Sequence, residues 1–215
     1  MPNIDPAIFA DRLEAHYASE ICHLDWDKAR PYTLLFAVIL SAQCTDIRVN
    51  KTTPQLWKAF PDLESFVAQP VEHLESIVKP CGYYRAKSRN LKKCAEQLLL
   101  FHDGQVPNTM GALTSLAGVG RKTANVILWN VHQKNIGFVV DTHVGRIAQR
   151  VGLTQKKNPI TIEQDLIKKL PQAKWGKMSH QLVQFGRDYC KAPAPKCSEC
   201  FFRDVCPRKG VKPSK

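Results

Sequence analysis

Proline placement limits this chain more than any other feature of it. Pro6, Pro31, Pro54, Pro61, Pro70, Pro80, Pro107, Pro159 and Pro171 lack the backbone N–H that a helix interior or a central strand requires. Each is therefore read as a helix start or a connection. Between them, apolar residues recur at helical spacing. Leu91, Cys94, Ala95, Leu98 and Leu99 share one face, as do Ala124, Ile127, Leu128 and Val131, and again Ile162, Leu166 and Leu170. Two-residue alternation is nearly absent, residues 137–140 being the one short β-like run. An all-α protein of about ten helices follows, with no internal repeat and no long linker. With 215 residues it can bury one sizeable core or two modest ones. The most apolar run, residues 34–40, is far shorter than the ~20 residues of a membrane span and reads as a buried helix. No N-terminal segment has the make-up of a secretion signal, so a cytoplasmic protein without a membrane partner is expected. The last nine residues, PRKGVKPSK, have nothing to bury and read as a frayed end.

The charge balance narrows the partners. Lys and Arg number 31 against 19 Asp and Glu, a net charge of +12. The cations concentrate where acids are missing. No carboxylate lies between Glu75 and Glu96, a stretch with Lys79, Arg85, Lys87, Arg89, Lys92 and Lys93. None lies between Asp103 and Asp141, or between Asp141 and Glu163, the latter stretch carrying Arg146, Arg150, Lys156 and Lys157. Uncompensated positive segments suit a polyanion, whose condensed counterions are released on binding. A solvated basic surface accounts for charge alone equally well.

The eight cysteines fall into two groups. Cys22, Cys44, Cys81 and Cys94 are scattered in apolar or helical surroundings. Cys190, Cys197, Cys200 and Cys206 cluster with the spacing Cys-x6-Cys-x2-Cys-x5-Cys. Without a secretion signal, that cluster reads as a metal site before it reads as disulfides. Zinc and a cubane iron–sulfur cluster both take four cysteines. Structural zinc sites usually pair two short knuckles, whereas here a single two-residue gap sits between wider ones, which favours [4Fe–4S]. Lys191, Lys196, Arg203, Arg208 and Lys209 surround it, so the centre is expected to shape a basic, phosphate-touching loop rather than to do chemistry.

LAGVGRKTAN, at residues 116–125, looks at first like a phosphate loop. A P-loop needs Lys directly after its last glycine and a strand before it. Here Arg121 intervenes and the lead-in is helical, so the reading becomes helix, glycine turn, helix, with residues 110–117 leading in and 121–131 leading out. Gly118 and Gly120 allow a tight turn and close backbone approach, and the N–H groups of the next helix can meet a phosphate. A plain helix–helix turn is the competing reading. Lys122 lies just past the turn, where the helix dipole, Arg121 and partial burial favour the neutral, nucleophilic amine. The next carboxylate is Asp141 in VVDTHVGR, placed by an apolar run in an interior or cleft, with Thr142, His143 and Arg146 as candidate partners. A helix-capping aspartate is the alternative there.

Taken together, LAGVGRKTAN, VVDTH, SAQCTD at residues 41–46 and the cysteine tail resemble the endonuclease III family of DNA glycosylases, in the helix-hairpin-helix superfamily. The resemblance covers residues 41–206 in the family's order. It implies two helical lobes with DNA in the cleft between them. One is a six-helix barrel lobe over residues 24–134 holding the hairpin. The other joins residues 1–23 to 135–215 and carries a [4Fe–4S] loop on Cys190, Cys197, Cys200 and Cys206. By the same likeness Lys122 is the nucleophile and Asp141 the assisting carboxylate of a base-excision repair enzyme. Gln43 fills the space of the flipped base and the loop at Gly82 and Tyr83 wedges into the opposite strand. The hairpin (Gly118, Val119, Gly120, Arg121) grips phosphate with a bound monovalent cation. His143 and Lys191 complete the expected DNA contacts, and basic loops around residues 85–93 and 191–196 add affinity. The implied substrate is double-stranded DNA with oxidised pyrimidines or abasic sites, met by a monomer.

Two positions depart from the family pattern. Ala117 stands where many members have proline, and Tyr83 where an aliphatic wedge is common; a tyrosine can stack between bases or simply pack against Tyr84. Two other functions compete. A mismatch-type thymine or adenine glycosylase of the same superfamily typically lacks a lysine in the place of Lys122, and a non-enzymatic DNA-binding module leaves Lys122 and Asp141 without a reason to coexist.

Overall fold

The computed structural model describes residues 3–18 and 22–211, which form eleven α-helices and two 3₁₀ turns, with no strand among the described residues. Small polar caps and prolines set most helix starts. Asp5 accepts the N–H groups of Ala7 and Ile8 ahead of Pro6 in α1 (Pro6–His16), and Asn158 caps α10 (Pro159–Lys169) before Pro159. Thr45 caps α3 (Asp46–Ala59), and a reciprocal Asp62–Ser65 pair opens α4 (Leu63–Ala68). Residues 137–140 form no strand: no second extended segment meets them, and the Val139 N–H goes to Ser179 Oγ at 3.1 Å.

The chain divides into two units. One spans Cys22–Gln133 and contains α2 (Tyr32–Ser41), α3, α4, α5 (Val71–Val78), α6 (Tyr84–His102), α7 (Met110–Thr114) and α8 (Arg121–Asn130). That is one helix more than the resemblance implies, because the break at Gln69–Pro70 makes two helices of residues 63–78. Its core is built on α2, of which every residue from Tyr32 to Leu40 is buried. Phe66 is wholly buried against Phe36 and Phe60, with ring centroids 4.9 and 4.8 Å apart. The face of α6 read from the sequence is the buried one, Leu91, Cys94, Ala95 and Leu98 being inaccessible.

The other unit joins the described residues before Cys22 to those from Lys134 onward, with α1, α9 (Thr142–Arg150), α10 and α11 (Trp175–Asp188). Phe9 of α1 stacks on Phe202 at 4.9 Å, and Arg12 makes a two-pronged ion pair with Asp204. Through these contacts the start of the chain is fastened to the cysteine-bearing end.

Several expectations change here. Pro54 lies inside α3, where it deprives the Asn50 carbonyl of its helical donor, rather than at a helix start. The lead-in helix of the hairpin ends at Thr114, so residues 115–120 are loop. Residues 85–93 are the first half of α6, not a loop. The end of the chain is held as far as Val211: the Lys209 N–H donates to the Arg150 carbonyl at 2.9 Å. The last four residues of the expected frayed tail lie outside the described residues.

The acid-free stretches are also not simply basic surface. Lys92 Nζ donates to the carbonyls of Val67 and Gln69, both at 2.7 Å. Arg146 and Arg150 likewise bond carbonyls at residues 186–192. Carbonyl groups, not carboxylates, partner these cations.

Replacing Phe66 with alanine removes a wholly buried ring whose aromatic neighbours cannot collapse to fill the gap. Urea unfolding is expected to show a loss of about 3–5 kcal/mol.

Candidate functional site

The hairpin loop is shaped by α6 as much as by its own glycines. Gly118 adopts φ +77°, and a Cβ there would come within 3.0 Å of Asn90 Cβ on α6. Gln97, one face along the same helix, uses both ends of its amide: Oε1 accepts the Ala117 N–H at 2.7 Å and Nε2 donates to the Ser115 carbonyl at 3.1 Å. This brace was not legible in the sequence, since a glutamine on a helix carries no pattern of its own. Val119 is buried and its N–H is spent on the Leu116 carbonyl. The N–H groups of Gly118 and Gly120 have no acceptor among the described residues. Gly120 serves as N-cap of α8 without a capping side chain. The start of α8 thus offers backbone donors and a dipole to an anion.

Lys122 is the second residue of α8, next to Arg121, and both side chains are exposed. The partial burial expected for Lys122 is absent. Its amine makes no hydrogen bond or ion pair among the described residues, so nothing in its own unit ties it down.

Asp141 caps α9, Oδ1 accepting the Val144 N–H at 2.8 Å. It is half-buried, not interior. The capping role weighed against a functional one is therefore present, yet it occupies a single oxygen. Oδ2 accepts nothing among the described residues. The expected partners do not bond Asp141. Arg146 instead holds the Cys190 carbonyl at 3.0 Å and meets His143 Nδ1 at 3.1 Å. His143 lies beneath Gly186, where a Cβ would collide with its Nδ1. Burial pushes the His143 pKa down against the opposing pull of Asp141, which keeps the ring neutral at pH 7.

Gln43 and Tyr83 share an unusual property. Both are non-glycine residues in the left-handed region, at φ 52° and 48°, where side chains are rare and strain is stored. Both are exposed, Tyr83 at 68%, and neither side chain is hydrogen-bonded. Tyr83 does not pack on Tyr84, whose ring instead carries the Arg85 guanidinium at 5.2 Å. Gln43 follows the end of α2, and Tyr83 is the N-cap of α6 just after Gly82 at φ +68°.

Cys190, Cys197, Cys200 and Cys206 border one pocket, together with Arg150, Phe185 and Tyr189. Among the described residues no three ligating side chains converge closely enough to hold a single metal ion. Tetrahedral zinc requires every sulfur at about 2.3 Å from the metal, whereas a cubane spans the space between thiolates set farther apart. The surroundings fit sulfur ligands that bear charge: the Phe202 N–H points at Cys200 Sγ and Arg150 Nη1 at Cys190 Sγ, each at 3.4 Å. Burial pushes the Cys200 thiol up to about 11 and raises Cys206 as well. Arg150 also takes the carbonyls of Lys191 and Ala192 at 2.6 and 2.8 Å, leaving the Lys191 side chain exposed. That arginine clamp was invisible in the sequence, where Arg150 read as surface charge.

Residues 36–172 match the family described as HhH-GPD superfamily base excision DNA repair protein. Endonuclease III of Synechocystis sp. is 41% identical over 195 residues, covering 91% of this chain and 88% of that protein. Endonuclease III of Bacillus subtilis is 38% identical over 201 residues, with 93% and 89% covered. A trapped endonuclease III–DNA covalent intermediate superposes with TM-score 0.87 at 35% identity, covering 94% of each chain. A thermostable thymine-DNA glycosylase shares the fold at TM-score 0.84 with 21% identity.

The two hairpin glycines are expected to respond differently to alanine. At Gly118 the left-handed backbone and Asn90 oppose a side chain, and unfolding should show a loss of about 1–3 kcal/mol. At Gly120 nothing lies within 4 Å of an added Cβ, so stability should hold within about 0.5 kcal/mol while affinity for duplex DNA falls. Unchanged affinity in Gly120→Ala would remove the hairpin from the DNA-binding surface.

Proposed function

The chain belongs to the HhH-GPD superfamily of base excision DNA repair proteins, and from that premise we propose that it is an endonuclease III-type DNA glycosylase and abasic-site lyase acting on oxidised pyrimidines. One observation carries the reading: an exposed, unpaired lysine sits on the first turn of an uncapped helix, behind a glycine hairpin, in a chain that superposes on an endonuclease III caught covalently on DNA.

The residues supply a consistent chemistry. The damaged nucleotide leaves the stack before its sugar can be attacked. The Gly118 and Gly120 N–H groups and the start of α8 hold the backbone phosphate, and a monovalent cation at the hairpin belongs to the same proposal. The Lys122 amine attacks C1′ and the base departs with the C1′–N bond pair, taking up a proton; transfer of a second proton from the amine nitrogen to O4′, as the C1′–O4′ bond breaks, leaves a Schiff base with the opened sugar. Removal of a C2′ proton then expels the 3′ phosphate and cuts the strand. The free Oδ2 of Asp141 stabilises positive charge on the sugar or relays a proton, while Oδ1 stays on its cap. Gln43 fills the vacated stack and Tyr83 enters the opposite strand. Lys191 adds phosphate contact without sequence preference.

The same proposal includes a [4Fe–4S] cluster on Cys190, Cys197, Cys200 and Cys206, which when bound ties down the loop presenting Lys191. Damaged double-stranded DNA is the partner, met by one copy of the chain, and the cytoplasm, at the nucleoid in a prokaryote, is the expected place of action. Among the described residues no helix is long and apolar enough to cross a membrane.

Borohydride added to the protein on abasic or oxidised-pyrimidine duplex should trap a covalent adduct that is absent from Lys122→Gln. No adduct and no strand cut on any damaged duplex would leave a DNA-binding module. In Asp141→Asn the amide oxygen keeps the cap, so stability and DNA affinity should hold while base release slows by roughly 10²–10⁴-fold; wild-type turnover would refute the role. Anaerobically purified protein should be brown and contain about four irons per chain, and stoichiometric zinc in its place would overturn the cluster.

A further inference from the structure

The buried ammonium of Lys87 touches neither the hairpin nor Lys122. Lys87 lies in the first turn of α6 and is only 5% exposed. Its Nζ donates to the Leu40 carbonyl and to the Cys81 carbonyl, each at 2.8 Å. No carboxylate pairs with it among the described residues; the Cys44 and Cys81 sulfurs are the other groups at hand. Lysine is almost never buried without a partner of opposite charge, because the desolvation of the ammonium is hard to recover. An arrangement that bears this cost has to gain something from those two carbonyls in particular.

Their positions say what is gained. Leu40 lies in the last turn of α2, where carbonyls lose their helical donors and a cation is favoured. Gln43 follows three residues later. Cys81 closes the 3₁₀ turn ahead of Gly82, and Tyr83 follows two residues later. One ammonium therefore fastens the roots of both segments whose tips are exposed, left-handed and without side-chain hydrogen bonds among the described residues. The tips do little to hold their own backbone conformations, since their side chains are exposed and make no hydrogen bond among the described residues. The constraint has to come from the roots.

We propose that Lys87 is a positioning residue: its two hydrogen bonds set the spacing between the Gln43 and Tyr83 loops, so that both enter the DNA duplex together when a base is extruded. This rests on the reading of Gln43 and Tyr83 as the groups that enter the helix. Lys87→Met retains the buried stem and removes both bonds.

The test uses a duplex with an oxidised pyrimidine opposite 2-aminopurine, whose fluorescence rises when it is unstacked, and an abasic site in single-stranded DNA, where no stacked base has to be replaced. For Lys87→Met the fluorescence gain and the single-turnover duplex rate should fall roughly tenfold, the worth of a lost buried hydrogen bond. Borohydride trapping on the single strand should fall far less, by no more than about threefold on the same scale. In a Gln43→Ala/Tyr83→Ala background, adding Lys87→Met should cost little more, because residues acting through one device are not additive. Equal losses on single-stranded and duplex DNA would show a merely structural role and overturn the proposal. So would a full additional loss in the double-variant background, or a wild-type protein that gives no fluorescence gain. The fluorescence requires no chemistry, so a wild-type protein that fails to form the covalent adduct sinks the lyase reading and still decides this one.

Discussion

Positively charged side chains bonded to main-chain carbonyls hold the functional parts of this protein in place. Lys87 joins the end of α2 to the turn before α6, Lys92 secures the end of α4, and Arg146 with Arg150 fastens residues 186–192. In each case a cation meets carbonyls at a helix end or in a loop, where orphan acceptors collect and the dipole favours positive charge. Carboxylates would neutralise the region. Carbonyls satisfy the donors and leave the net charge unchanged, so a chain that must attract a polyanion can brace its loops without lowering its own potential.

The same economy appears at the two proposed reacting groups. Among the described residues Lys122 has no hydrogen-bond or ion-pair partner, and it stands on a helix start that no side chain caps. Asp141 gives one oxygen to its helix and keeps the other. The cap fixes the carboxylate's rotamer before substrate arrives, which removes an ordering cost from the reaction. Stability and chemistry thus share one side chain without competing for the same atom.

Much of this was legible in the sequence. Apolar spacing fixed the buried faces of α6, α8 and α10, because 3.6-residue periodicity is a property of one helix. Motif order pointed to Lys122, Asp141 and the four cysteines for a related reason, the spacing of each being short. What remained hidden depends on residues far apart in the chain. Gln97 bracing Ala117, Arg150 clamping residues 190–192 and Lys87 bonding Leu40 span 20 to 47 residues. No local pattern marks such pairs. Charge counting failed for the same reason, since it placed Lys87, Lys92, Arg146 and Arg150 on a basic surface. Pro54 misled through propensity: tertiary packing carried α3 through a residue that by itself would end it.

Tyr83 shows how such a fold can change its diet. Its backbone is shaped from below, by Gly82 and by the bond from Lys87 to Cys81, while the residue is 68% exposed and its hydroxyl makes no hydrogen bond among the described residues. The ring itself therefore contributes little to the fold, and the left-handed backbone is the main constraint on which side chain can stand there. On the proposed reading of Tyr83 as a group that enters the duplex, selection can exchange it as a toolmaker changes a bit in a fixed chuck, trying new lesion preferences one residue at a time while the core stays as it is.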